Sequence, residues 1–326
     1  MAFVVATLNE ERSVEHCVRS LLTQDYRDGA IEVVVVDGGS TDRTRSIVSS
    51  LTAEDPRVRL VSNPGRIAAS AFNLGIEHTT AELISLVSGH GSADPDYART
   101  LVETFTSTGA ALVGGRMVAE ADPADGPMAQ AIARAMGSPL GQGPSYQHYG
   151  ERAGWVDTAF PGAYRRDLID EIGGFDEALV RNQDDELHLR ARLAGYPMWF
   201  EPRLRSRYRP RADLRSLWSQ YHQYGWWRWA TLRKHGRVAS FRHLIPAALV
   251  AGLAGGPALA VAVPRSRLVA GAWAGGALSW LALLVVAGWA ERDHGTHVAA
   301  RVPVAMGCLH LAYGAGFWRA VAGRGC

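Results

Sequence analysis

Lysine is almost missing from this sequence: Lys234 stands alone, and arginine supplies the rest of the 34 basic residues. So one-sided a choice reflects coding base composition rather than function. Set against 32 acidic residues it leaves a formal net charge of +2, too small to argue for a nucleic-acid partner. Cysteine is scarce as well. Cys17, Cys308 and Cys326 have neither a pairing pattern nor metal-ligand spacing, which excludes a disulfide framework and a structural zinc site and fits a reducing compartment. Cys17 falls on the apolar side of a predicted helix and reads as core. A secretory leader is lacking too: Met1-Ala2-Phe3-Val4-Val5-Ala6 runs directly into a strand, with no basic segment, apolar stretch or cleavage site before it. The N-terminal part is therefore expected to face the cytoplasm.

Hydrophobic residues, at 47% of 326, are abundant and unevenly spread. Over the first ~115 residues short apolar runs alternate with amphipathic stretches, the pattern of a parallel α/β sheet. Phe3 to Ala6 predicts a strand. Val14, Cys17, Val18, Leu21 and Leu22 follow at the spacing of one helical face. Val33 to Val36 is a run of four β-branched residues, as a strand buried on both faces requires. Ser40 and Thr41 are placed to cap the next helix, which buries Ile47, Val48 and Leu51. Further strands are expected at 57–62, 83–87 and 111–118. Between ~120 and 150 Pro, Gly, Ala and Ser dominate, notably in Gly137 to Ser145, predicting a mobile, loop-rich segment. A strand over Trp155 to Tyr164, a helix over Arg166 to Ile172 and another from Asp184 to Ala194, stopped by Gly195, complete this part.

The remainder differs. From Arg203 to Arg242 arginines are interleaved with Trp218, Tyr221, Tyr224, Trp226, Trp227 and Trp229, and only Asp213 is acidic. Three apolar stretches follow: Leu244 to Val263, Leu268 to Ala290 and Val298 to about Val321. The first two are uncharged and near the ~20 residues needed to cross a bilayer; the third, with Arg301 and His310, is the weakest span. Basic and aromatic residues beside apolar spans read as an interfacial segment on an anionic membrane. Arg265 and Arg267 sit badly with an outward first span, so full crossings and a shallow hairpin are both open. Three parts are thus expected: a catalytic domain over 1–202, an interfacial segment over 203–242 and membrane-embedded helices over 243–326.

The chemistry concentrates around Val34-Val35-Val36-Asp37-Gly38-Gly39-Ser40-Thr41-Asp42. A carboxylate closing a buried parallel strand before a glycine turn points into the ligand crevice of an open α/β sheet. The G-x-G-x-x-G pattern is absent, which excludes a Rossmann dinucleotide site. Alone, such a turn is structural about as often as functional. Here it is accompanied in order by Thr7-Leu8-Asn9-Glu10-Glu11, Asn63-Pro64-Gly65-Arg66, Asn73-Leu74-Gly75, Gly173-Gly174-Phe175-Asp176-Glu177 and Gln183-Asp184-Asp185-Glu186-Leu187-His188-Leu189-Arg190.

Across residues 1 to ~200 this ordered set resembles the family 2 glycosyltransferases, whose catalytic domain has the GT-A fold, a Rossmann-like, mostly parallel sheet with flanking helices. The tail, through Arg207-Tyr208-Arg209-Pro210-Arg211, Gln220, Tyr224-Gly225 and Arg233-Lys234-His235, is similar to bacterial exopolysaccharide enzymes of the succinoglycan glucosyltransferase type. The resemblance implies an inverting transferase that uses a nucleotide-diphosphate sugar. It implies that Asp37 contacts the nucleotide with the Thr7, Asn9 and Glu10 turn beside it, and that Arg66, Asn73 and Ser88 line the donor pocket. It makes Asp184 the general base of an acid pair with Asp185. An inverting displacement needs a carboxylate to take the acceptor hydroxyl's proton as that oxygen attacks the anomeric carbon; the competing reading of both aspartates is favourable charge at a helix N-terminus.

One departure stands out. The family's D-x-D motif, which binds a divalent cation and the sugar diphosphate, is replaced by Ser88-Gly89-His90. Some relatives read D-x-H, which makes His90 a metal or phosphate ligand; manganese accepts imidazole more readily than magnesium does. A metal-independent or inactive site is the alternative. His188, one turn after Asp184, is expected to serve packing or the surface. Tyr224-Gly225-Trp226-Trp227-Arg228 fails the Q-x-x-R-W spacing of processive synthases. The expected enzyme therefore adds a sugar, UDP-linked by preference, to a lipid-linked acceptor at the inner (plasma) membrane. A polyprenyl-phosphate sugar synthase and a non-catalytic membrane scaffold with a degenerate donor site are the competing readings.

Overall fold

A computed structural model describes residues 1–26, 29–143, 146–237, 240–262 and 267–325. Val263, Arg265, Ser145 and Cys326, on which some expectations fell, lie outside the described residues. In chain order the elements are β1 (Ala2–Thr7), α1 (Val14–Leu22), β2 (Glu32–Asp37), α2 (Thr44–Glu54), β3 (Val58–Ser62), α3 (Ala68–Glu77), β4 (Leu83–Ser88), β5 (Gly91–Ala93), α4 (Tyr97–Thr108), β6 (Leu112–Ala119) and α5 (Gly126–Met136). Then come α6 (Pro139–Gln142), α7 (Tyr146–Tyr149), β7 (Gly154–Trp155), β8 (Gly162–Arg165), α8 (Arg166–Ile172), α9 (Gln183–Leu193), β9 (Met198–Tyr208), α10 (Leu214–His235), α11 (Ile245–Ala262), α12 (Arg267–Ala290), α13 (Thr296–Ala299) and α14 (Val302–Val321). The chain divides into two compact units. One is Met1–Val118 with Tyr146–Tyr208; the other is Ala119–Ser145 with Arg209–Cys326.

The first unit is built on a mixed sheet ordered β3-β2-β1-β4-β8-β6-β9-β5, with β7 paired to β9. Its β3-β2-β1-β4 half is parallel, whereas β8 runs antiparallel to both β4 and β6. The valine run explains the central strands. Val33 and Val35 join Phe3 and Val5 in the core on one face, while Val34 and Val36 join Val4 on the other. Period-two side chains that are apolar at every position need cover on both faces, and helices provide it. Helix α1 buries Val14, Cys17, Val18 and Leu21 as its spacing requires. The strand β9 was not foreseen. It extends through Tyr208, so the expected boundary at 202 falls within a strand of this unit.

Ser40 and Thr41 do not cap α2, whose N-cap residue is Arg43 without a side-chain cap bond; Asp42, just before it, holds the first helical residue. Its carboxylate accepts from Thr44 N at 2.9 Å and holds the Thr44 hydroxyl, leaving Ser40 and Thr41 for the loop described below.

The second unit is helical, and it corrects the expected loop at 120–150: α5 buries Ala129, Ala131, Ile132, Ala133, Ala135 and Met136. The run Met128 to Met136 is alanine-rich and free of Gly and Pro, so helix propensity wins there; Pro127 sits in the first turn, where its missing N–H costs nothing. Helix α10 starts on an Asp213 cap that accepts from Ser216 N at 2.9 Å and ends at Gly236, φ 63°. Its buried stripe, Leu217, Tyr221, Gly225, Arg228 and Thr231, is a packing face, not only an interfacial one. It lies along α14, where Gly225 meets Tyr313 and Gly316 meets His222. Two helical stretches, Arg267–Ala290 and Thr296–Val321, are long and apolar enough to cross a membrane. The first is almost wholly uncovered, with Leu268, Leu278, Val285 and Trp289 exposed; close to half of the second is covered within its own unit.

Candidate active site

Parallel register brings the expected donor residues to one edge of the sheet. Thr7 pairs with Asp37, Ala6 with Ser88, and Asp37 with Ser62, so the loops after β1, β2, β3 and β4 leave side by side at the C-terminal ends of the strands. That is where ligands bind in open α/β sheets.

Asp37 is fully buried. Its carboxylate accepts from Gly39 N at 3.1 Å, from Ser40 N at 3.1 Å, from the Ser40 hydroxyl, and from Arg45 Nη1 at 3.0 Å. The charge is thus spent on shaping the Gly38–Thr41 loop, with Arg45, the second residue of α2, as counter-ion. Asn9 completes the loop: its N–H donates to Ser40 Oγ at 2.9 Å, and its side-chain oxygen accepts from Thr41 N at 2.9 Å. Thr7 is buried beneath. Among the described residues, the non-glycine residues with left-handed backbone are Asn9 (φ 58°), Arg66 (φ 60°) and Asn182 (φ 60°). Two follow β1 and β3, and the third precedes α9. Such backbone persists only where its surroundings hold it, and it gathers at functional loops. Arg66 is exposed, and its guanidinium carbon lies near Gly39.

In the Ser88-Gly89-His90 turn, His90 Nδ1 lies 2.8 Å from Glu10 Oε1, and the other Glu10 oxygen accepts from Ser13 Oγ at 2.8 Å. Gly89 allows this approach: a Cβ there would sit 2.6 Å from Thr7 Cγ2 and 3.3 Å from Glu10 Cγ. Imidazole and carboxylate together offer a cation one nitrogen and one oxygen donor. Among the described residues no third His, Cys, Asp or Glu joins them. Cys17 takes no part. Buried beneath Ser88, its thiol is pushed up to about 12 by burial, with the Glu10 charge adding to the effect.

Asn73 is committed elsewhere. Its amide nitrogen donates to Phe175 O and to Glu177, both at 2.9 Å, and its oxygen accepts from Phe175 N at 2.8 Å, which ties α3 to the Gly173–Glu177 turn. The turn is gripped from the other side by Arg190, which donates to the carbonyls of Ile172 and Gly174, both at 2.6 Å, and pairs with the fully buried Glu186 at 2.9 Å.

Asp184 and Asp185 occupy the first turn of α9. Asp185 Oδ1 is 3.4 Å from Thr158 Oγ, which is 2.9 Å from His188 Nδ1; Tyr164 OH is 2.9 Å from His188 Nε2. His188 is buried, a packing residue with polar partners. Desolvation lowers its pKa to about 4, against the charges of Asp185 and Asp157. Thr158, Tyr164, Arg45 and the Glu186–Arg190 pair escaped the sequence reading. Only the last carried a signal, the i, i+4 spacing of opposite charges.

A sequence profile of glycosyl transferase family 2 matches residues 2–173. The chain belongs to this family. A succinoglycan biosynthesis protein, ExoA of Rhizobium meliloti, is 34% identical over 97% of this chain and 93% of its own. The family likeness also reaches a dolichyl N-acetyl-α-D-glucosaminyl phosphate 3-β-D-2,3-diacetamido-2,3-dideoxy-β-D-glucuronosyltransferase of Methanococcus voltae, 24% identical over 69% of this chain and 71% of that one. Among solved structures, a mannosyltransferase from Pyrobaculum calidifontis in complex with GDP-Man and Mn2+ aligns with a TM-score of 0.61 at 22% identity, covering 95% of this chain and 86% of that one. TarS 1–349 of S. aureus with UDP-GlcNAc aligns at 0.52 and 16%, covering 99% and 92%. The fold is thus the GT-A fold expected of a family 2 glycosyltransferase, with apolar helices following it.

Proposed function

We propose that the chain is an inverting glycosyltransferase that moves a sugar from a nucleotide-diphosphate sugar, UDP-linked by preference, to a lipid-linked acceptor in exopolysaccharide or cell-surface glycan synthesis. The observation that carries the reading is the meeting of Thr7, Asn9, Glu10, Asp37, Ser88 and His90 at one sheet edge. The full-length likeness to a succinoglycan biosynthesis protein and the mannosyltransferase complex with GDP-Man and Mn2+ support it.

The nucleotide is placed against the Gly38–Thr41 loop that Asp37 organises, with Arg66 over it. Arg66 and Ser88 are assigned to the donor. Asn73 serves the donor pocket indirectly, through the Gly173–Glu177 turn. His90 and Glu10 would hold a divalent cation, manganese by the softness of the imidazole, and the cation would offset charge on the departing diphosphate. Asp184 accepts the acceptor hydroxyl's proton as that oxygen attacks the anomeric carbon, and Asp185 lies beside it. The uncovered face of Arg267–Ala290 and the basic residues of α10 suit the inner membrane, with the catalytic unit on the cytoplasmic side.

A thermal-shift panel on detergent-purified protein tests this: UDP, GDP, dTDP and their sugars, each with manganese, magnesium or EDTA. A ligand at about 100 times its Kd adds about 2.7 kcal/mol. Stabilisation by one nucleotide family that depends on metal is expected. Stabilisation that survives EDTA removes the metal from the reading, and no stabilisation by any nucleotide leaves the scaffold.

A further inference from the structure

Two side chains shut off from solvent, Tyr164 and His188, are linked through Thr158 to Asp185. Their protons can be placed by elimination. Burial keeps His188 neutral above about pH 4 and raises Tyr164 well above its ordinary range, so the imidazole has one N–H and one acceptor nitrogen, and the phenol keeps its proton. Thr158 has one hydroxyl proton to share between Asp185 and His188. The arrangement that satisfies these three contacts together runs in one direction. Tyr164 O–H donates to His188 Nε2, His188 Nδ1–H donates to Thr158 Oγ, and Thr158 O–H donates to Asp185. The opposite tautomer would draw the threonine proton towards the ring and leave Asp185 without it.

We propose that Tyr164, His188 and Thr158 form a buried one-way hydrogen-bond chain that positions Asp185 as an ionised carboxylate beside Asp184. The proposal rests on the reading of Asp184 as the base. Consecutive carboxylates titrate as a pair. A donor fixed on Asp185 keeps the negative charge there, and that charge raises the proton affinity of its neighbour, suiting Asp184 to take the acceptor's proton. The 3.4 Å separation at Thr158–Asp185 is the loosest link, and such contacts tighten when substrate is bound. The groups acting on the chain include Asp184 and Asp185 from α9, Asp157 from the segment before β8, and Tyr97 of α4 acting on Tyr164. Asp157 lies 3.7 Å from Arg192, which offsets its charge. All three residues are positioning residues; none is assigned to substrate.

The test is the pH profile of kcat for the full chain, with the nucleotide sugar that stabilises it most. Thr158→Val, nearly isosteric, removes the donor. It is expected to lower kcat about tenfold with donor KM within about twofold, and to move the acid limb down by up to about one pH unit, because an Asp185 that protonates more readily no longer raises the proton affinity of Asp184. Thr158→Ser restores the hydroxyl and the wild-type limb. Tyr164→Phe shifts the limb in the same direction, because the imidazole proton is then no longer held on Nδ1. In an Asp185→Asn background Thr158→Val has no further effect. An acid limb unmoved in both Thr158→Val and Tyr164→Phe, each melting close to wild type, overturns the proposal. If Thr158→Val melts far lower, Tyr164→Phe and Thr158→Ser decide alone. Full turnover in Asp184→Asn instead overturns the base assignment, and the two failures are distinct.

Discussion

His90 Nδ1 lies 2.8 Å from Glu10 Oε1, a contact that ties the turn after β4 to the loop after β1. Both groups are held: Glu10 by Ser13 and by its backbone N–H, which donates to Thr44 Oγ1 at 2.7 Å, and His90 by a glycine turn that tolerates no Cβ. The proposal that this pair holds a cation is open to a direct test. His90→Ala is expected to lose most manganese stimulation, on the order of 10–100-fold at limiting metal, while nucleotide binding in EDTA is unchanged. Manganese titration of turnover checks this; full stimulation in the variant would remove His90 from the metal.

Asp184→Asn keeps shape and removes the carboxylate proposed as the proton acceptor. Turnover should fall by about 10²–10⁴-fold, while the thermal shift with nucleotide sugar stays at the wild-type size. A loss of kcat together with loss of the shift would point to a folding defect, and unchanged turnover would sink the assignment.

The half-sheet β3-β2-β1-β4 and helix α1 were legible because their signals are local: four valines in a row, and one apolar stripe. The residues proposed for the donor were picked out as an ordered set of motifs, and parallel register explains why residues far apart in sequence converge at one sheet edge. Contacts made at a distance were not legible. Nothing in the spacing of Thr158, Tyr164 and His188 announces a chain of hydrogen bonds, and nothing near Asn73 names Phe175. The 120–150 segment misled because Gly and Pro at its ends outweighed the alanines between them, although glycines and prolines at helix ends are what a helix wants. The basic, aromatic stretch likewise held two elements, the end of β9 and the whole of α10, which composition averages away.

Glu186 is fully buried, and its partner Arg190 is mostly so. Replacing Arg190 by Met removes the counter-charge and three donors to the 172–174 carbonyls. Breaking such a pair strands a buried charge and costs about 3–5 kcal/mol. The melting temperature should fall sharply, and the Glu186→Gln/Arg190→Met double variant should recover part of the loss. An Arg190→Met protein that melts like wild type would mean that water reaches Glu186.

Stability should fall with acid through His188. Its folded pKa of about 4 lies below the ordinary 6.5, so below pH 6.5 the unfolded chain binds a proton that the folded chain refuses. The stabilising contribution is complete above 6.5 and is lost as pH falls towards 4, to the extent of about 3 kcal/mol. Denaturant unfolding at pH 7.5 and pH 4.5 measures it. His188→Gln, which cannot charge, should flatten this part of the profile even if it is less stable at neutral pH.

In the helical unit α10 and α14 approach through glycines. A Cβ on Gly225 would lie 1.9 Å from Tyr313 O, and one on Gly316 would lie 1.9 Å from His222 O. These are backbone atoms, which cannot swing aside as a side-chain end does, so the helices themselves must separate. The bonds that span the same crossing, Arg228 Nε to Tyr313 OH at 3.1 Å and Trp226 Nε1 to Arg324 O at 2.9 Å, would stretch with them. Gly225→Ala and Gly316→Ala are each expected to destabilise this unit by about 1–3 kcal/mol, the usual cost of overpacking, and the double variant by less than the sum, since either alone opens the same seam. Gly271 in α12 is the control. Nothing lies within 4 Å of its Cβ position, so Gly271→Ala should be neutral or slightly stabilising through helix propensity. Limited proteolysis between α10 and α11 reads the result: faster cleavage in the Gly225 and Gly316 variants, and the wild-type rate in the control. Equal rates in all of them would mean that the crossing is looser than its geometry implies.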